Sequence, residues 1–319
     1  MSSSLQLSLT AIERENTAAW EALQLLGWLG PDNITKKLVR TLHVAKEEQM
    51  AFEESYSRSR RSAFGTLSNA YLMTGGAGVV LVLAAASFAL DRHQRQTASA
   101  TFGALAIVGT SVATTALFLQ NQNEPSKDVS LPRSMSDLRR HSVADADQIW
   151  TISKSFSLLV VKEGQGSMHR LLAQSLRASQ SQQDGRRNLE ICIRALCQLW
   201  KYKPSQIETW QDSIDSLEHI KVVVKHVARR KDVAMRLETA VLSREAGLLS
   251  AMALNRFQEA QRSLEQSLDI LNNLKGKDAT IEEARAAARF ELGRVYRYLG
   301  QFDLSQESLQ LALDIRNRL

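Results

Sequence analysis

The chain repeats itself near its C-terminal end, and that repeat limits what the last quarter can fold into. Residues 247–270, GLLSAMALNRFQEAQRSLEQSLDI, align with residues 292–315, LGRVYRYLGQFDLSQESLQLALDI, at an offset of 45. Phe257 falls on Phe302, Leu264 on Leu309, Leu268 on Leu313, Asp269 on Asp314 and Ile270 on Ile315. Apolar residues three and four apart predict amphipathic helices, two in each copy. Small residues at Gly293, Ala260 and Ala312 let paired helices touch, while Asn255 and Gly300 suit the left-handed turn between them. A pair of such hairpins cannot bury its own faces, and about three are needed for a stable stack. Further helices are therefore expected upstream, over 186–240.

The second copy resembles a tetratricopeptide repeat. Leu292–Gly293, Tyr296, Gly300, Phe302, Ala312 and Leu313 stand at that motif's places, with Ser305 where a small Ala is usual. The first copy departs at Ala251, where an aromatic is usual, and at Asn255, where the turn Gly is usual. The spacing exceeds the usual length of about 34, as in kinesin light chain-type repeats, which the pair is similar to. The resemblance implies a groove on the inner face of the stack. Phe290, Arg294, Arg297 and Tyr298 would line it from the last repeat, and Leu249 and Met252 from the one before. The arginines imply a protein or peptide ligand that is acidic or ends in a carboxylate.

Two stretches, 71–90 and 99–119, contain no Lys, Arg, Asp, Glu or His, although the chain is 23% charged. Each approaches the roughly 20 residues a helix needs to cross a bilayer. Thr74 and Gly78, Ala85 and Ala89, Ser99 and Gly103, and Gly109 and Ala113 repeat small residues at the spacing that packs helices in lipid. The short connector predicts an antiparallel hairpin with two spans. Arg58, Arg60, Arg61, Lys127 and Arg133 outside the pair, against Arg92 and Arg95 between the spans, predict both termini in the cytosol. Two Ala- and Gly-rich core helices of a soluble protein would also fit this composition. Residues 1–30 carry Glu13, Glu15 and Glu21, unlike a cleaved signal.

Residues 10–62 and 130–180 read as two halves of one small module around that insertion. The first half gives a helix, a Gly-Pro-Asp turn and a second helix capped by Asp32 or Asn33. The second half gives a strand in SFSLLVV, a turn in KEGQG, a resumed strand at SMH, and the helix RLLAQSLRAS. Ala19–Leu38, Phe156–Arg177 and Trp210–Val224 resemble the winged-helix and array-opening segments of STAND-type (NB-ARC and TPR) proteins. In that family the counterpart of His169 is structural, bridging wing and helix. The family's phosphate loop, G-x-x-x-x-G-K-[ST], occurs nowhere, so nucleotide binding does not carry over.

The expected fold is therefore all-α: a TPR-type helical hairpin array, with two repeats over 241–319. To it is joined a winged-helix-like module with one small β-hairpin, interrupted by a transmembrane hairpin. The expected function is a membrane-tethered scaffold for protein partners with no catalysis and no cofactor. The alternative is a regulatory remnant of a STAND-type signalling ATPase whose nucleotide domain lies elsewhere. A net charge of +6 reads as solubility, and nucleic acid is an unlikely partner. The basic run Lys225, Arg229, Arg230, Lys231 and Arg236 lacks interleaved aromatics and reads as a solvated face. His219 and His226 lie two helical turns apart, about 10 Å, too far to share a metal. Cys192 and Cys197 match no redox or zinc spacing and read as reduced thiols.

Overall fold

A computed structural model describes residues 9–14, 16–74, 147–274 and 278–319, and the chain is predominantly helical there. Residues 1–50 and 135–319 form one unit and 51–134 another. The stretches 71–90 and 99–119 lie outside the described residues, apart from helical backbone at 71–74. Among the described residues, no helix is long and apolar enough to cross a membrane.

The N-terminal part begins at α1 (Thr17–Leu26), whose first turn is closed by Asn16 accepting from the Ala19 amide at 2.8 Å. Leu23, Leu25 and Leu26 go into the core. The turn that follows ends at Asn33, in the left-handed region at φ 58°. Ile34–Thr35 then form a strand, β1, before α2 (Lys36–Thr74). The expected cap at Asp32 or Asn33 is therefore displaced. The Ile34 backbone is committed to a sheet, and Thr35 Oγ1 accepts from the Leu38 amide at 3.1 Å instead.

The sheet is completed by β2 (Leu159–Lys162) and β3 (Gln165–Met168), antiparallel in the order β1-β3-β2. Glu163 and Gly164, both with positive φ, make the two-residue turn between β2 and β3. Ile34 pairs with Gly166 and Thr35 with Gln165, so chain from before residue 75 and after residue 146 shares one sheet. Arg40 strengthens that closure through its Nη2, which reaches both carboxylate oxygens of Asp147 at 2.9 Å.

His169 caps α3 (Arg170–Ala178), its Nδ1 accepting from the Leu171 amide. Six helices follow: α4 (Gln182–Leu199), α5 (Trp210–Ala228), α6 (Arg236–Met252), α7 (Phe257–Asn272), α8 (Ala279–Tyr298) and α9 (Phe302–Arg318). Each packs on the next, and α4, α6 and α8 also touch as a separate row. Three antiparallel pairs thus stack side by side. Serine hydroxyls stitch the pairs at buried carbonyls: Ser243 to Ser263, Ser267 to Ala240 and Ser305 to Gly293, each at 2.7 Å.

Within the pairs the limiting contact is a glycine. A Cβ at Gly247 would lie 2.9 Å from Leu264 Cγ, and one at Gly293 would lie 2.7 Å from Leu309 Cγ. Asn255 and Gly300 adopt φ 55° and 74° at the turns, as their chemistry predicts. These landmarks show that the repeat has two registers. Leu264 and Leu309 are 45 apart, whereas Gly247 and Gly293 are 46 apart. The turn between α6 and α7 runs over 253–256, one residue longer than that over 299–301, which absorbs the difference.

His219, buried on α5, ties the stack to the N-terminal part by donating from Nε2 to the Asn33 carbonyl at 3.1 Å. Burial lowers its pKa below the ordinary histidine value. His226, edge-on to Trp28, is lowered to about 4 by burial and by Arg177, Arg229, Lys225 and Arg230. Because folding lowers both pKa values, the unfolded chain protonates first as pH falls. Their contribution to stability is therefore complete well above pH 6.5 and is lost as pH falls through that value towards 4. Chemical denaturation across that window should show the decline, and His226→Gln should flatten it. Separately, Gly293→Ala should destabilise the purified chain by about 1–3 kcal/mol in the same assay, because Leu309 Cγ at 2.7 Å and the Ser305 carbonyl at 3.2 Å would both have to give way.

Candidate functional site

The row formed by α4, α6 and α8 presents one continuous face, and its chemistry is mixed. On α6 it carries Glu245, Leu248 and Met252; on α8 it carries Glu291, Arg294 and Tyr298. These sets are equivalent at the 46-residue register set by the two glycines. Arg294 bridges the helices, pairing with Glu291 at 2.9 Å and donating towards Met252 Sδ at 3.5 Å. Arg244 pairs with the neighbouring Glu245.

Tyr202, following α4, completes this face. Its ring is tilted against Trp200 and Trp210, with centroids 6.1 and 6.3 Å away. Its hydroxyl is buried without a hydrogen-bond partner. Burial raises its pKa, and the charges of Glu245 and Glu291 raise it further. The phenol is packed under this end of the row, and the charges of Glu245 and Glu291 act on it from there.

Of the six groove residues expected from the sequence, five reach the surface. Met252, Phe290 and Tyr298 are exposed apolar side chains, and Arg297 is exposed beside the Tyr298 ring at 5.7 Å. Phe290 lies instead under Arg316 of α9 at 5.3 Å, so its ring is shared with the outer helix. Leu249 requires correction: it is 0% exposed and belongs to the core. Aligning α6 at the 45-residue offset puts Leu249 beside Arg294. The register of the helices pairs it with Val295, which is also buried. The two arginines expected to meet an acidic ligand differ in their surroundings. Arg294 spends its charge on Glu291, while Arg297 has no ion pair among the described residues.

The sequence reading missed Tyr202, Glu245 and Glu291. The two glutamates could have been found by aligning Gly247 with Gly293; nothing in the local pattern around Tyr202 marks it. At the far end of the stack, the face covered on α7 is open on α9. Phe257 stacks on Tyr298 at 4.8 Å and Leu268 is 7% exposed, yet their counterparts Phe302 and Leu313 are 67% and 51% exposed.

The basic run is not a single solvated face. Arg236 is buried and donates to the Val227 and Arg230 carbonyls, closing the end of α5. Burial pushes the Cys192 thiol pKa well above its ordinary value, while Cys197, at the surface, is raised to about 11 by partial desolvation and the Glu238 charge. Comparison with family models, curated proteins and solved structures returns no match to this chain.

Tyr202→Phe offers a discriminating test of the face. Removing an unpartnered buried hydroxyl should leave unfolding free energy within about 1 kcal/mol or raise it. A loss well beyond that, measured by denaturant titration, would show that the hydroxyl is already structurally satisfied.

Proposed function

We propose that this chain is a scaffold that holds a partner protein at a membrane through the inner row of its helix pairs, without catalysis of its own. The observation that carries this reading is the row itself. Met252 and Tyr298 are exposed on the adjacent helices α6 and α8, and the Arg297 guanidinium lies beside the Tyr298 ring at 5.7 Å. Apolar anchors beside charged groups are what a peptide-binding groove requires. The tetratricopeptide-like pattern of 241–319 and the STAND-type module before it support the same reading. No family match accompanies them, and they enter as resemblances.

The ligand is a protein segment that brings a carboxylate to Arg297 and an apolar side chain to Met252 and Tyr298. Membrane tethering rests on the charge-free lengths of 71–90 and 99–119. Their flanking arginines and lysines favour both termini on the cytosolic side.

Two measurements check this function. Proximity labelling with the full chain should lose its main partners by tenfold or more on Arg297→Glu with Tyr298→Ala; unchanged labelling would overturn the groove. Carbonate washing of membranes should leave the chain in the pellet, and recovery in the supernatant would overturn the tether.

A further inference from the structure

Away from that row, a cavity of about 710 Å³ opens between the end of α3, the first turn of α4 and the turn after α5. Arg177, Arg229, Arg230 and Lys231 line it, against a single lining carboxylate, Asp232. Asp232 is already engaged by Arg230 at 3.2 Å. Among the described residues, Arg177, Arg229 and Lys231 form no ion pair. The Arg177 guanidinium is half-buried and donates to the Gly27 carbonyl, a neutral partner. Four cations gathered in one open cleft repel one another, and among the described residues three of them have no carboxylate within ion-pair distance.

The backbone adds to the same field. The N-terminal end of the 18-residue α4 opens into the cleft, with Ser181, Gln182 and Gly185 in the lining. Ser181 Oγ accepts from the Asp184 amide, and no acceptor takes the amides of Gln182 or Gln183 among the described residues. Asp184 stands in this first turn but outside the lining, where it bonds Ser181. Gly185 is the structural adjustment that admits Arg230. A Cβ there would lie 3.1 Å from Arg230 Nη1 and 3.0 Å from Trp28. Its absence lets the guanidinium lie over the Trp28 ring, 5.7 Å from its centroid, and donate to the Gln182 carbonyl at 2.9 Å. Arg230 is thereby fixed by three contacts before any ligand arrives.

We infer that this cleft binds a small ligand through phosphate, with Arg177, Arg229 and Lys231 as its charge partners and the α4 N-terminus as its cradle. Phosphate suits the site because guanidinium forks and helix amides both match its oxygens. Three uncompensated cations favour a ligand with at least two negative charges. A free phosphorylated molecule and the headgroup of a phosphorylated lipid present the same chemistry.

Calorimetric titration of the full chain with inorganic pyrophosphate, against potassium chloride at matched ionic strength, tests the site. Saturable one-to-one binding is expected. Arg229→Gln with Lys231→Gln should weaken it by tenfold or more without lowering the melting temperature, since both side chains are exposed. Gly185→Ala, which displaces Arg230, should weaken it less. An anion seated there also raises the His226 pKa from about 4, which a histidine proton titration by NMR can follow. A soluble inositol trisphosphate in a parallel titration identifies the source. Tighter binding by tenfold assigns a lipid headgroup, and equal or weaker binding assigns a free phosphorylated molecule. No saturable pyrophosphate binding, or binding unchanged in the double variant, would overturn the inference.

Discussion

The helix stack depends on two places where a side chain is missing. At Gly247 and Gly293 the backbone of one helix meets a leucine of its partner, and a single methyl group would fill the gap. Glycine inside a helix costs roughly 0.5–1 kcal/mol relative to alanine. Here the cost is offset by the close approach of α6 to α7 and of α8 to α9. That approach brings Ser243, Ser267 and Ser305 within reach of carbonyls on the neighbouring helix. Once the pairs are fixed, the spacing of α4, α6 and α8 follows, and with it the row that carries Glu245, Met252, Glu291, Arg294 and Tyr298.

The helix pairs were legible in the sequence because their causes are local. Asn255 and Gly300 end one helix and begin the next, and the apolar period of each copy reports the buried stripe. What could not be read from a single alignment was the register. A one-residue difference in the turn shifts α6 against α8 by about 100° around the helix axis. That shift moves Leu249 from the surface to the core. Tyr202 was hidden for a different reason. Its place beside Glu245 and Glu291 comes from three helices meeting, not from any spacing along the chain. The short β1 strand was likewise invisible, because Ile34 becomes a strand residue only when Gly166 arrives from 132 positions later.

Helix α5 gives the two halves of the described unit a common wall. Its inner residues Leu217, Ile220, Val223, Val224 and Val227 are buried. His219 on the same helix holds the Asn33 turn, and His226 meets Trp28 edge-on. The strained turn at Asn33 therefore leans on a helix of the stack. This is a physical reason for the N-terminal part and the helix pairs to unfold together, since loosening either removes contacts that hold the other.

The same wall also separates two surfaces of opposite design. On the α4-α6-α8 row, Arg294 is paired with Glu291 and Arg244 with Glu245, so charge is largely satisfied and apolar side chains are left open. Beyond the end of α5, Arg177, Arg229 and Lys231 gather without an ion pair among the described residues, and Asp232 pairs with Arg230. A surface whose charges are mostly paired gains most from apolar cover, with Arg297 left to receive one carboxylate. A cleft whose cations are unpaired gains most from an anion, because every added negative charge relieves repulsion that folding left in place. The two sites thus select different ligand chemistries. Because α5 packs against α4 and α6 while its C-terminal end borders the cleft, an anion bound there would steady the helix that supports the row.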